Sequence, residues 1–226
     1  MFECEEDLAN IWDVPSVIEQ KCEIMKEVAV LVACDGAGGV RCYPVVEMVF
    51  DALFNQLDYV KAPADLSLQS LNAALTLARE VVGALGSAGL FAVELFIDRQ
   101  GRCWVNEVAP RVHNSGHWTI EGCATSQFEQ MWRILAGEPL GSVRQFSPAV
   151  MLNLVGDAGH SGEAYLPYLS ELLAIEEVFV HWYGKAQTRA GRKMGHVTIL
   201  AEDEVALWEK ISQVRPFLSV QAREAV

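Results

Sequence analysis

The chain has 226 residues, 51% of them hydrophobic and 21% charged, enough apolar content for one large or two modest packed domains, which excludes a disordered chain. Thirty acidic against 17 basic residues give a formal net charge of -13, which disfavours nucleic acid and anionic membranes as partners and makes any basic cluster conspicuous. No uncharged apolar run reaches the ~18 residues of a membrane span, and the acidic start Met1–Asp7 has no signal-peptide pattern.

In chain order, Asp7 to Trp12 reads as the end of a helix stopped before Pro15, so the chain opens inside an element. Val17 to Gln20 reads as a short strand. Val28 to Cys34 and Val40 to Val46 read as two strands of a hairpin around Asp35-Gly36-Ala37-Gly38-Gly39. Leu57 to Ala62 is a further strand, ended by Pro63. Ser67 can cap a helix running to Leu85, with Leu68, Leu71, Leu75, Ala78, Val82 and Leu85 at helical spacing. Leu90 to Ile97 and Arg102 to Val108 form a strand pair about the turn Asp98 to Gly101, and Ser126 to Ala136 a helix stopped at Gly137. Beyond the polar stretch Gly141 to Ser147, the best candidate boundary, strands are expected near Val150 to Val155, Val178 to Tyr183 and His196 to Leu200, then a helix from Glu204 to Val214. The six cysteines, Cys4, Cys22, Cys34, Cys42, Cys103 and Cys123, include no Cys-x-x-Cys, which argues against zinc and for reduced thiols in a cytoplasmic protein.

Three segments carry chemistry. If the turn after Leu90 to Ile97 is symmetric about Gln100 and Gly101, Glu94 falls opposite Glu107 on one face of the sheet. Facing like charges destabilise a sheet unless something offsets them, and a hard divalent cation such as magnesium suits two carboxylates, with Asn106 adding a neutral oxygen. An asymmetric turn would instead send one glutamate to solvent. The following run, Asn106 to Trp118, holds Arg111, His113, Asn114, Ser115 and His117. Such donors can orient an anion, or can satisfy the loop's own backbone. The third segment, Tyr183 to His196, gathers four of the 17 basic residues with three glycines, a composition for phosphate or for a solvated basic hairpin. It matches no Walker or dinucleotide spacing.

Together, Ala92-Val93-Glu94-Leu95-Phe96, Asn106 to Thr119, Thr125-Ser126-Gln127-Phe128-Glu129 and Gly191 to Val197 resemble the 5-(carboxyamino)imidazole ribonucleotide synthase family, of the ATP-grasp superfamily. The resemblance runs from about Glu6 to the last helix. It implies an α+β fold, with a partial ATP-grasp domain of antiparallel sheet and helices over residues 1–143 and a small β-rich carboxyl-terminal domain over 144–226. It implies an enzyme of purine biosynthesis that uses ATP and bicarbonate to make carboxyphosphate and carboxylates 5-aminoimidazole ribonucleotide, with magnesium on the ATP phosphates, as a homodimer. By resemblance, Glu94 and Glu107 are the magnesium ligands, and Glu19, Gln20, Lys21 and Cys22 meet adenine. Glu27 binds the ribose hydroxyls, Asn106 lies by the phosphates, Arg111 and His113 form the bicarbonate pocket, and Lys185, Arg192 and Lys193 take the substrate phosphate and hold its amine.

Phe50 stands where family members often have His, and Ala190 where Pro is usual. The family's amino-terminal nucleotide-fold domain and the triphosphate-gripping Gly-rich loop have no counterpart before Glu19. The expectation is a carboxyl-terminal part with little activity by itself. The other reading is a non-catalytic remnant serving dimerisation or nucleotide binding.

Overall fold

The computed structural model describes residues 14–15, 17, 20–51 and 56–223. The helix expected over Asp7 to Trp12 lies outside them, as does Glu19. Val17 and Gln20 belong to no strand, so the short strand expected there is not formed at the positions described.

The elements are β1 (Ile24–Cys34), β2 (Val40–Cys42), β3 (Val46–Asp51), β4 (Gln56–Ala62), α1 (Leu68–Leu85), β5 (Gly89–Asp98), β6 (Cys103–Ala109), α2 (Thr119–Gly122) and α3 (Gln127–Ala136). They continue as β7 (Ala149–Val155), β8 (Gly162–Tyr165), α4 (Leu169–Leu173), β9 (Val178–Trp182), β10 (Gln187–Thr188), β11 (Lys193–Leu200), α5 (Glu204–Val214) and β12 (Gln221–Ala222). Among the described residues the strands form a nine-stranded sheet, ordered β6-β5-β1-β3-β4-β7-β11-β9 with β2 on β1, and a three-stranded sheet, β10-β8-β12. The pairings between these strands are antiparallel, as α+β architecture requires. Strand β7 pairs with β4, so one sheet runs across the polar stretch after Gly141. No helix among the described residues is long and apolar enough to cross a membrane.

Local chemistry sets where strands break. The strand expected over Val40 to Val46 is two strands, because Pro44 has no N–H for a ladder. The hairpin between β1 and β2 closes on Asp35, whose Oδ1 accepts from Ala37 N and Gly39 N at 2.8 Å each. Gly36 (φ 77) and Gly38 (φ 102) supply its left-handed positions. Phe50 packs against the central core cluster at a register shift between β3 and β4.

Helix α1 starts where Ser67 Oγ accepts from Ser70 N at 3.1 Å and ends at left-handed Gly86. Its buried stripe is Ser70, Ala74, Ala78 and Val82. Leu68 and Leu85, expected on the apolar face, are exposed. Small residues let the helix axis approach the sheet, where Val28, Val30, Val93 and Leu95 meet it. The opposite face of the sheet, built on Ala29, Leu31 and Ala92, packs under Trp118 and α3. A third cluster joins Leu152, Val197 and Ile199 to Leu207 and Ile211 of α5.

Candidate active site

The face of β5 that carries Leu90 and Ala92 into the core turns polar at Glu94. The hairpin places Glu94 opposite Glu107. The route to that pairing differs from a symmetric turn. Near the turn the pairs are Ile97 with Cys103, Phe96 with Trp104 and Leu95 with Val105, a register centred on Gln100. Asp98 fixes this tight turn, accepting Gln100 N at 2.9 Å, Arg102 N at 3.0 Å and Trp104 Nε1 at 3.0 Å. Asn106 is then an extra residue, and the register slips by one between Leu95 and Glu94. A β-bulge of this kind sets two residues against one. Asn106 and Glu107 both stand against Glu94, and Asn106 Nδ2 reaches Glu94 Oε2 at 3.4 Å.

Burial first, then the charge of Glu107, raises the Glu94 pKa, and Glu27 on the next strand adds to it. Glu27 is itself raised by burial. Opposing these, the Asn106 amide and the Lys193 ammonium favour the charged form of Glu94. Burial lowers the pKa of Lys193, and Glu94 opposes that shift. A half-buried site with an excess of carboxylate and oxygen donors is chemistry that fits a hard divalent cation.

The loop after β6 brings a histidine to the carboxylates. His113 Nε2 lies 3.4 Å from Glu94 Oε1, and one donor atom each of Glu94, Glu107 and His113 fall within 4.8 Å of one another. The imidazole is a donor there. Its Nδ1 accepts from Ser115 N at 3.3 Å, so in the neutral ring the proton sits on Nε2, facing Glu94. Burial, with Arg111 and Lys193 nearby, pushes its pKa down to about 4, so the neutral form holds at neutral pH. The two carboxylates are therefore the groups free to offer oxygen to a cation, and the His113 N–H faces one of them.

The basic segment reaches the site through β11. Lys193, expected in a loop, is the first residue of that strand, and its Nζ donates to Asn114 Oδ1 at 3.3 Å. The Asn114 and Asn153 amides are paired, with Asn114 Nδ2 to Asn153 Oδ1 at 3.0 Å, and Asn153 Nδ2 also donates to Leu57 O at 2.9 Å. Lys185 Nζ donates to Lys193 O, which places it beside the site. Arg192 Nη1 donates to Gln187 O at 2.7 Å, holding the segment's own turn, and Ala190 is exposed just before left-handed Gly191. Arg111 is exposed and donates to Val112 O at 3.1 Å. Gln20 and Lys21 are exposed ahead of β1, and Cys22 is half-buried. The structure thus brings together Glu94, Glu107, Asn106, His113, Lys193 and Lys185, with Glu27 alongside, whereas Arg111 and Arg192 are turned to local backbone.

Two arrangements are not foreseen in the sequence reading of the site, although His117 and His196 are named in it. One is buried Asn153, a polar position in a strand read only for its apolar pattern. The other is a stack of imidazoles beneath the loop. His117 lies over His196 at 4.7 Å between ring centroids, and His196 over His181 at 4.4 Å. Tyr183 Oη meets His196 Nδ1 at 2.9 Å and Glu121 Oε1 meets His181 Nε2 at 2.7 Å. These side chains come from α2, β9, β11 and the loop, and only the tertiary fold assembles them.

Two spans of the chain match known protein families. Residues 3–128 match the ATP-grasp domain model, and residues 149–210 match the model of the phosphoribosylaminoimidazole carboxylase C-terminal domain. An N5-carboxyaminoimidazole ribonucleotide synthase of Synechococcus elongatus is 38% identical over 202 residues, covering 88% of this chain and 50% of the relative. The crystal structure of N5-carboxyaminoimidazole ribonucleotide synthetase from Thermotoga maritima superposes with a TM-score of 0.89 at 43% identity, covering 98% of this chain and 59% of that one. An Aspergillus clavatus N5-carboxyaminoimidazole synthase, solved with ADP and 5-aminoimidazole ribonucleotide, has a TM-score of 0.79 at 33% identity, covering 94% and 55%. The chain spans about half the length of the curated relatives it matches.

Proposed function

This chain belongs to the ATP-grasp family, in the branch of the N5-carboxyaminoimidazole ribonucleotide synthases, and from that premise we propose that it forms one wall of an ATP-dependent carboxylase of purine biosynthesis. The substrates in this reading are ATP, bicarbonate and 5-aminoimidazole ribonucleotide. The observation that carries it is the bulged pairing of Glu94 with Glu107, with His113 against Glu94.

In this reading Glu94 and Glu107 would hold a magnesium ion, which would supply charge neutralisation for the phosphates of ATP. Asn106 presents its amide to a phosphate oxygen, and Glu27 accepts from the ribose hydroxyls. The segment Glu19-Gln20-Lys21-Cys22 meets adenine through its backbone. Neutral His113 offers its Nε2–H beside the reacting anion, where a preorganised donor in a half-buried site favours developing negative charge. Arg111 swings from Val112 O to complete the bicarbonate and carboxyphosphate pocket. Lys185, Lys193 and Arg192 take the phosphate of the imidazole nucleotide and hold its amine near the carboxyl donor. A cytoplasmic homodimer belongs to the same proposal. So does the division into residues 1–143 and 144–226, which the two matched spans, 3–128 and 149–210, support.

The test is a chimaera in which this chain replaces the corresponding part of the Thermotoga maritima relative. ADP release dependent on both bicarbonate and 5-aminoimidazole ribonucleotide is expected, with little from the 226-residue chain by itself. Loss of that release in Arg111→Ala and His113→Ala chimaeras is expected as well. A folded chimaera without substrate-dependent ADP release would overturn the reading.

A further inference from the structure

Helix α3 turns polar residues inward. Its buried side chains are Gln127 and Gln130, whereas Trp132 and Leu135 are exposed. A buried amide is costly unless each of its groups is paired. Gln127, 0% exposed, is fully paired, and with the loop before it. Its Oε1 accepts from His113 N at 2.9 Å, and its Nε2 donates to His113 O at 2.8 Å. The same Nε2 lies 2.9 Å from His117 Nδ1. Its backbone N donates to Thr119 Oγ1 at 2.9 Å, and that hydroxyl donates to Gly116 O at 2.6 Å.

These partners leave no freedom in the amide. A backbone N–H only donates and a carbonyl only accepts, so Oε1 must face His113 N and Nε2 must face His113 O. His117 Nδ1 then receives an N–H and carries its own proton on Nε2. The loop passes so close that a Cβ on Gly116 would lie 2.5 Å from Gln127 Oε1 and 2.5 Å from Leu31 Cδ1. Only a glycine there lets the loop wrap the amide.

One turn along the helix, Gln130 clamps Gly141 in the same way, accepting from its N at 2.8 Å and donating to its O at 3.2 Å. Gly141 has no side chain to aim. The residue that Gln127 holds is the one whose imidazole meets Glu94 at 3.4 Å. We infer that Gln127 is a positioning residue, whose side-chain amide fixes the His113 backbone and the His117 ring and so sets the His113 Nε2–H against Glu94. It acts through His113 and touches no reacting atom. Its consequence for carboxylation rests on the function proposed above.

Two measurements test it. The first is 15N NMR of the histidine rings in the chain itself, comparing native protein with Gln127→Glu, Gln127→Met and Gln130→Met. In native protein His117 is expected as the Nε2–H form. Gln127→Glu replaces the donor by an acceptor, so the His117 proton should move to Nδ1. Gln127→Met should leave His117 without a fixed tautomer and shift the His113 ring signals as its backbone loosens. Gln130→Met, which removes an equivalent clamp, should lower stability and leave both rings as in native protein.

The second is kinetics in the chimaera, where Gln127→Met should lower kcat by about tenfold or more with KM for ATP unchanged, and Gln130→Met should not. A native His117 with its proton on Nδ1, or Gln127 variants whose rings match native protein, would overturn the inference. So would Gln127→Met and Gln130→Met chimaeras with equal kcat. Inactivity of the native chimaera would count against the proposed function and leave the NMR result to decide the role of Gln127.

Discussion

Glu94 and Glu107 oppose each other across two strands, and the charge of Lys193 offsets only part of what burial and Glu107 impose on Glu94. Facing like charges cost a sheet roughly 0.2–1 kcal/mol. Glu107→Gln removes that repulsion, and Glu107 is exposed, which reduces the gain toward the lower end. In a chelator, Glu107→Gln is therefore expected to stabilise the chain by a few tenths of a kcal/mol, read from urea unfolding. A loss of stability would mean that the repulsion is already relieved by some other partner. The facing of this pair was legible in the sequence from counting outward from the turn. Its mechanism was not, because a bulge at Asn106 leaves no signature in residue type, and the turn it corrects is centred one half-step from the position assumed.

At the scale of elements, the strongly periodic segments were legible. Gly-stopped helices α1 and α3 and strands β5 and β6 follow from spacing and caps within a residue or two. What periodicity hides is polarity turned inward. Gln127, Gln130 and Asn153 look like surface residues in a sequence, and each is buried because a backbone or amide partner elsewhere in the chain satisfies it. The short strands β8, β10 and β12 were equally invisible, since two to four residues carry no period.

The imidazole stack between the 113–118 loop and β9 and β11 has a measurable consequence. Burial pushes the pKa of His117 down to about 4 and that of His196 down to about 3. An unfolded histidine takes up its proton near pH 6.5, so between that value and the depressed folded values the unfolded chain binds more protons. The stability these rings contribute is complete above about pH 6.5 and is lost as pH falls toward 4. Glu94 works the other way, since a carboxyl raised on folding binds more protons in the native state and loses its contribution as pH rises through its folded value. With His113 also lowered to about 4 and Glu27 also raised, three rings outweigh two carboxyls, so the melting temperature should be several degrees lower at about pH 5 than at about pH 7.5. An equal or higher melting temperature at the acid end would show that the stack opens to solvent.

Across the whole molecule, the site is a seam. Glu94, Glu107 and His113 come from the part that matches the ATP-grasp model, and Lys185 and Lys193 from residues within the carboxylase C-terminal match. The two parts share a sheet through β4 and β7 and are laced by Lys61 to Glu204 and by Arg215 Nη2 to Asp58 Oδ2 at 2.9 Å. Tyr59 meets Trp208 edge-on at 5.8 Å in the same seam. That shared sheet is what brings cations from one part to carboxylates of the other. In the proposed function this wall takes a metal-bound nucleotide. Calorimetric titration of the chain with a non-hydrolysable ATP analogue, with and without magnesium, measures it directly. The predicted result is saturable binding that requires magnesium and is lost in Glu94→Gln and in Glu107→Gln, and heat that is independent of magnesium or unchanged by either substitution would contradict it.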